Sequence, residues 1–158
     1  MAAEALLILL AEDDEGHAYL VKRNLAKAGI GNQIIHVSDG QEALDFVRCE
    51  GAYEGRLRDR PLLLVLDINM PRVDGLNVLA QIKAQESTNK TPVIMLTTTD
   101  DPREVARCYE LGCSVYITKP VEYEPFVEAI KRLGMFLQVV QVPTESPKMG
   151  NEPCRSPK

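Results

Sequence analysis

Leu62–Gly75 reads LLLVLDINMPRVDG. Five apolar residues run unbroken into Asp67, and a polar, turn-rich stretch from Asn69 to Gly75 follows. A short apolar run bounded by polar residues has the pattern of a strand buried on both faces, as in a parallel sheet. Two other stretches repeat it. Leu6–Leu10 runs into Glu12-Asp13-Asp14, and Val115–Thr118 runs into Lys119-Pro120. In an open parallel sheet, ligands bind outside the carboxyl ends of the strands. The acidic cluster, the lone Asp67 and Lys119 are therefore expected on one edge. Carboxylates and one ammonium at one point suit a divalent cation and a phosphoryl group.

Working outward, strand and helix signals alternate, which predicts an α/β fold around a parallel sheet. Strands are expected at about 5–11, 33–37, 62–67, 92–97 and 114–118. The first helix carries Ala18, Val21, Leu25 and Ala28 on one face and stops at Gly29. Asp39 with Glu42 makes a capping box for the second helix, whose buried side is Ala43, Leu44 and Val47. Residues 50–60 are long for a connection and are expected to be a surface loop or a helix extension. The third helix starts near Gly75. Asp101-Pro102-Arg103-Glu104 opens the fourth with an N-cap, proline at N1 and Glu at N3, and Gly112 ends it. Phe126, Ile130, Leu133 and Leu137 form one apolar stripe on the fifth. Right-handed crossovers then favour a doubly wound five-stranded sheet, helices on both faces, in a three-layer α/β/α sandwich.

Length and composition set limits. The chain has 158 residues, enough for one domain and not for two. A net charge of −5 argues against a general nucleic-acid binder. No apolar run has the length of a membrane span, and the N-terminal run reads as a strand rather than a signal peptide. Cys49, Cys108, Cys113 and Cys154 have no C-x-x-C or zinc spacing and are expected to be free thiols in a reducing cytoplasm. Residues 136–142 are unusually apolar for a chain end. Residues 143–158 are Pro-rich and polar, and are expected to be disordered.

The acidic cluster, LLLVLDINMPRVDG, VIMLTTTDD (93–101) and VYITKP (115–120), in this order and each at a strand end, resemble a response-regulator receiver domain. The resemblance runs from about Ala5 to Leu137. It implies a flavodoxin-like strand order of 2-1-3-4-5, with residues 1–142 as one receiver domain including a C-terminal extension of the fifth helix. It also implies a phosphorelay function: Asp67 takes a phosphoryl group from a sensor histidine kinase with Mg²⁺ bound. Asp13 would be a direct ligand, Glu12 would act mainly through water, and the Asn69 backbone carbonyl would be a further ligand beside Asp67. Lys119 would pair with Asp67 and then with phosphoryl oxygens, aimed by a cis bond to Pro120. Thr97 would bond the phosphoryl group and Tyr116 would swing inward after it. Asn69 and Thr99 would tune hydrolysis.

Without a cation, clustered carboxylates raise one another's pKa. Asp14 is read as the cap of the first helix. His17 is read as part of a solvated helix face, with a place on the rim of the site as the alternative, and His36 as a packed strand histidine. The long 50–60 loop and the apolar end resemble single-domain regulators that partner phytochromes. Output would pass through the face of helix four, strand five and helix five. That face, with residues 136–142, would bind a downstream partner or a second copy. The chain is expected to be a cytoplasmic signalling protein and not an enzyme. Two alternatives stay open. One is a phosphorylation-independent scaffold. The other is an aspartyl-phosphate phosphatase, which would need a second Asp where Asn69 stands.

Overall fold

The computed structural model describes residues 6–139 and 142. The strands are β1 Leu7–Ala11, β2 Ile34–Val37, β3 Leu62–Leu66, β4 Val93–Thr97 and β5 Val115–Thr118. The helices are α1 Glu15–Lys27, α2 Gly40–Arg48, α3 Gly75–Ala84, α4 Pro102–Leu111 and α5 Tyr123–Val139. All strand pairs are parallel and the sheet order is β2-β1-β3-β4-β5. The continuous apolar runs are explained by position. β1, β3 and β4 are buried along their whole length, whereas the edge strands β2 and β5 are half-buried.

Side chains alternate across the sheet with the strand period of two. Leu9, Leu64, Leu66 and Met95 face one core, closed by Ala43, Leu44 and Val47 of α2, Leu79 and Ile82 of α3, and Cys108 of α4. Ile8, Leu63, Val65 and Ile94 face the other, closed by Val21 and Leu25 of α1 and the α5 stripe of Phe126, Ile130, Leu133 and Leu137. Each fully buried leucine contributes roughly 1.5–3 kcal/mol. The sheet is therefore the platform on which the strand-end residues are set.

The helix starts follow the sequence signals. Asp14, Asp39, Asp74 and Asp101 each accept a backbone N–H in the first turn of the helix that follows. In the α2 capping box the reciprocal arm of Glu42 reaches the backbone N–H of Ser38 at 3.2 Å. The 50–60 loop is not a helix extension. After a 3₁₀ turn at Gly51–Tyr53 it is fastened to the body. Tyr53 donates its hydroxyl to Glu42 at 3.0 Å, and the Arg56 guanidinium lies 4.2 Å over the Phe46 ring. The buried Arg58 donates to the Ser87 carbonyl at 3.2 Å.

Cys108 and Cys113 are free and buried, as expected. Cys49 is disulfide-bonded, which corrects the expectation of four free thiols. It is buried on a left-handed turn that closes α2. α5 runs unbroken to Val139 with Met135, Phe136 and Val139 exposed, and Val142 packs back against the α1/α5 core. The expected disordered tail, 143–158, lies outside the described residues. Among the described residues, no helix is long and apolar enough to cross a membrane.

One glycine decides how the Asp67 loop closes. The Gly75 N–H donates to the Ile68 carbonyl at 2.8 Å. A Cβ at position 75 would lie 2.1 Å from the Asp67 carbonyl oxygen and 2.7 Å from the Ile68 Cα, both backbone atoms that cannot yield. Gly75→Ala is expected to cost about 1–3 kcal/mol by overpacking. A urea titration should show a lower midpoint at unchanged slope. Gly31→Ala, where no atom lies within 4 Å of the added carbon, is the control and should leave the midpoint in place.

Candidate functional site

β1 and β3 are neighbours in space although β2 lies between them in the chain, so the sheet order reverses there. Such a switch point leaves a crevice at the carboxyl ends of the strands. The residues that end these strands fill it. The Asp67 N–H donates to the Ala11 carbonyl at 3.1 Å, which seats Asp67 beside the end of β1. Glu12 follows Ala11 and is buried, Asp13 is exposed, and Asp67 is buried. One carboxylate oxygen from each of these three lies within 4.8 Å of the others. Three hard oxygen donors at that spacing fit a divalent cation such as Mg²⁺ or Mn²⁺.

Lys119 closes the crevice from β5. Its backbone N–H donates to the Thr97 carbonyl at 2.6 Å, and its side chain is 2% exposed. The ammonium lies 2.5 Å from Glu12 Oε1 and 3.4 Å from Asp67 Oδ2. The expected pairing with Asp67 is present, but Glu12 holds the shorter contact. The Lys119–Pro120 bond is trans, which corrects the cis bond implied by resemblance. The β5 register and the two carboxylates aim the lysine without it.

Thr97 ends β4, the strand beside β3, and is fully buried. Its Oγ1 has no hydrogen-bond partner among the described residues. Tyr116, on β5, donates its hydroxyl to the Thr99 carbonyl at 2.5 Å, and its backbone N–H donates to the Tyr109 hydroxyl of α4 at 3.1 Å. Burial, with Cys108 and nearby acids adding, pushes the Tyr116 phenol up to about 12. Asn69 is exposed, and its backbone N–H donates to Asp67 Oδ1 at 3.3 Å.

Several residues that shape this site were not singled out for it. His17 was read as a solvated helix residue with a place on the site's rim as the alternative, and its Nδ1 lies 3.2 Å from the Lys119 ammonium while its ring stacks at a tilt on Phe126, 5.6 Å between centroids. The signal was its spacing: four residues after Asp13, on the first turn of α1, it shares the face that looks at the strand ends. His36 is half-buried as expected, and it also reaches the Glu12 backbone carbonyl through Nε2 at 2.7 Å. Arg72, in the left-handed region at φ 67°, pairs with Asp39 at 3.0 Å and ties the Asp67 loop to the start of α2. Asp14 caps α1 as expected. The His17 N–H it accepts holds its carboxyl below the usual range.

Glu12 is the group whose titration matters most. Burial pushes its pKa up from 4.5 to about 7, against the pull of Lys119 and with a push from Asp67. The unfolded chain releases this proton near 4.5 while the folded chain keeps it until about 7. Without a cation, this contribution to stability is present at low pH and is lost as pH rises through that window. Urea midpoints in chelator should thus fall between pH 5 and pH 8 more steeply for the parent than for Glu12→Gln. A divalent cation favours the ionised carboxyl, so its affinity should rise with pH through about 7 in a calorimetric titration, and rise less in Glu12→Gln.

The family model described as "Response regulator receiver domain" matches residues 8–131. The response regulator Rcp1 of Synechocystis is 34% identical over 138 residues, covering 87% of this chain and 92% of Rcp1. A Mn²⁺-bound structure of Rcp1 overlays with a TM-score of 0.79, at 32% identity over 87% of this chain and 98% of that one. A receiver-domain structure from Rhodospirillum rubrum is 45% identical with a TM-score of 0.82, covering 89% of this chain and 99% of that one. The phosphorylated cyanobacterial phytochrome response regulator RcpA has a TM-score of 0.79 at 31% identity, covering 87% and 97%.

Proposed function

Because the chain belongs to the response-regulator receiver family, we propose that it is a switch thrown by phosphorylation of Asp67. An oxygen of the Asp67 carboxylate attacks the phosphorus of a phosphohistidine on a sensor kinase. A P–O bond forms, the P–N bond breaks, and the donor imidazole leaves with the electron pair and takes a proton. The product is an acyl phosphate on Asp67.

The observation that carries this reading is the Thr97 hydroxyl. It is fully buried, at the end of the strand next to that of Asp67, and without a partner among the described residues. Such a group costs about 1–3 kcal/mol while unsatisfied. An oxygen of a phosphoryl group on Asp67 would give it an acceptor. Lys119, 3.4 Å from Asp67 Oδ2, would neutralise part of the new charge.

Asp13, Asp67 and the Asn69 carbonyl are the proposed direct ligands of Mg²⁺. Glu12 is assigned a role through water, because Oε1 is taken by Lys119 and Oε2 accepts the Asp14 N–H at 3.2 Å. Bound Mg²⁺ supplies positive charge against the phosphoryl oxygens. Asn69 and Thr99 are assigned the tuning of access of water to the acceptor.

A cytoplasmic histidine kinase of the phytochrome type is the proposed donor, supported by the likeness to RcpA and Rcp1. Output is assigned to the face of α4, β5 and α5. Tyr109, Met135, Phe136 and Val139 leave apolar surface on α4 and α5 for a protein partner or a second copy.

Intact mass after incubation with acetyl phosphate and Mg²⁺ tests the acceptor. The parent should gain one phosphoryl group, while Asp67→Asn and a chelated parent should gain none. Retained phosphorylation in Asp67→Asn would remove Asp67 from this role. An unmodified parent that still binds a partner would favour a scaffold.

A further inference from the structure

The Lys119 ammonium has three N–H donors and no acceptor capacity. At 2% exposure it has almost no access to water, so each donor must find a protein acceptor. Three are in place: Glu12 Oε1 at 2.5 Å, His17 Nδ1 at 3.2 Å and Asp67 Oδ2 at 3.4 Å. The donor set is therefore full. A phosphoryl oxygen that bonds Lys119 must displace one of the three.

These acceptors are not equal. Glu12 and Asp67 are carboxylates fixed by the ends of β1 and β3, with side chains 4% and 9% exposed. His17 accepts only as a neutral ring with its proton on Nε2. Its side chain is 41% exposed, so it can turn outward past Phe126 into water. A charged phosphoryl oxygen makes a stronger bond to an ammonium than a neutral imidazole does. The weakest and most mobile acceptor is the one that gives way.

We propose that His17 is a positioning residue that holds the third N–H of Lys119 in the unphosphorylated protein and yields it to the phosphoryl group. This rests on Asp67 as the acceptor. Its consequence is directional. His17 stabilises the unphosphorylated state alone, so it opposes the phosphorylated one and sets how easily the switch is thrown. A residue that merely helped the fold would not favour one state over the other.

The test compares the parent with His17→Leu, which removes the acceptor, and His17→Asn, which keeps an oxygen near the Nδ1 position. Two quantities are read: the urea midpoint without ligand, and the affinity for beryllofluoride, a phosphoryl mimic, with Mg²⁺ present, by ¹⁹F NMR. His17→Leu is expected to lower the midpoint and tighten beryllofluoride binding by roughly threefold to tenfold, the worth of one modest hydrogen bond. His17→Asn is expected to restore both. Unchanged or weaker binding in His17→Leu overturns the proposal, and so does failure of His17→Asn to restore it. If the parent itself binds no beryllofluoride, the Asp67 reading falls first and this one with it.

Discussion

A buried ammonium holds this molecule's site together. Glu12 and Asp67 sit on adjacent strand ends at the point where the sheet order reverses. Two carboxylates so placed repel, and burial disfavours charge on Glu12. Lys119 reaches over from the far edge strand and bonds each of them. Removing one partner of a buried ion pair typically costs about 3–5 kcal/mol, because the other charge is left without compensation. The three residues therefore form a unit that spans β1, β3 and β5. A change in the charge of any member is felt from β1 across to β5. A cation bound at Asp13 and Asp67 would act on the same unit, since it would compete with Lys119 for the carboxylates.

Most of the fold could be read from the chain because it depends on local patterns. Apolar runs marked the strands, and an Asp before α1, α2 and α4 marked the start. The α5 stripe is buried as its spacing required. Convergence of Glu12, Asp67 and Lys119 could be read too, because strand ends in a parallel sheet share an edge. What could not be read depends on distances between elements distant in sequence. Whether Lys119 lies nearer Glu12 or Asp67 is set by sheet twist and strand register, which no motif encodes. His17 looked like a surface residue because its neighbours Glu15, Gly16 and Tyr19 are exposed; only the approach of Lys119 and Phe126 makes it part of the site. Gly75 was read only as the point where the third helix starts. Its real constraint is the Asp67 carbonyl, 2.1 Å from where a Cβ would stand. The 50–60 loop read as polar surface because its ties to Phe46, Glu42 and Ser87 run through the long side chains of Tyr53, Arg56 and Arg58.

The path from the site to the proposed output face is short, and Tyr116 lies on it. Its side chain hangs from the Thr99 carbonyl in the loop between β4 and α4, two residues past Thr97. Its backbone N–H is taken by the hydroxyl of Tyr109, an exposed residue of α4. One residue of β5 is thus tied at one end to the loop that Thr97 begins and at the other to the helix that the loop leads into. In the proposed mechanism Thr97 moves toward a phosphoryl oxygen, and the Thr99 carbonyl, two residues on, would be carried with it. Tyr116 then has either to follow that carbonyl or to give up its bond. Giving it up would leave a hydroxyl unsatisfied at a site whose burial already favours the neutral phenol. Following it would pull on the Tyr109 hydroxyl and so on α4. Both outcomes alter the α4–β5 surface without unfolding anything, because β4 beneath it is fully buried and stays in place.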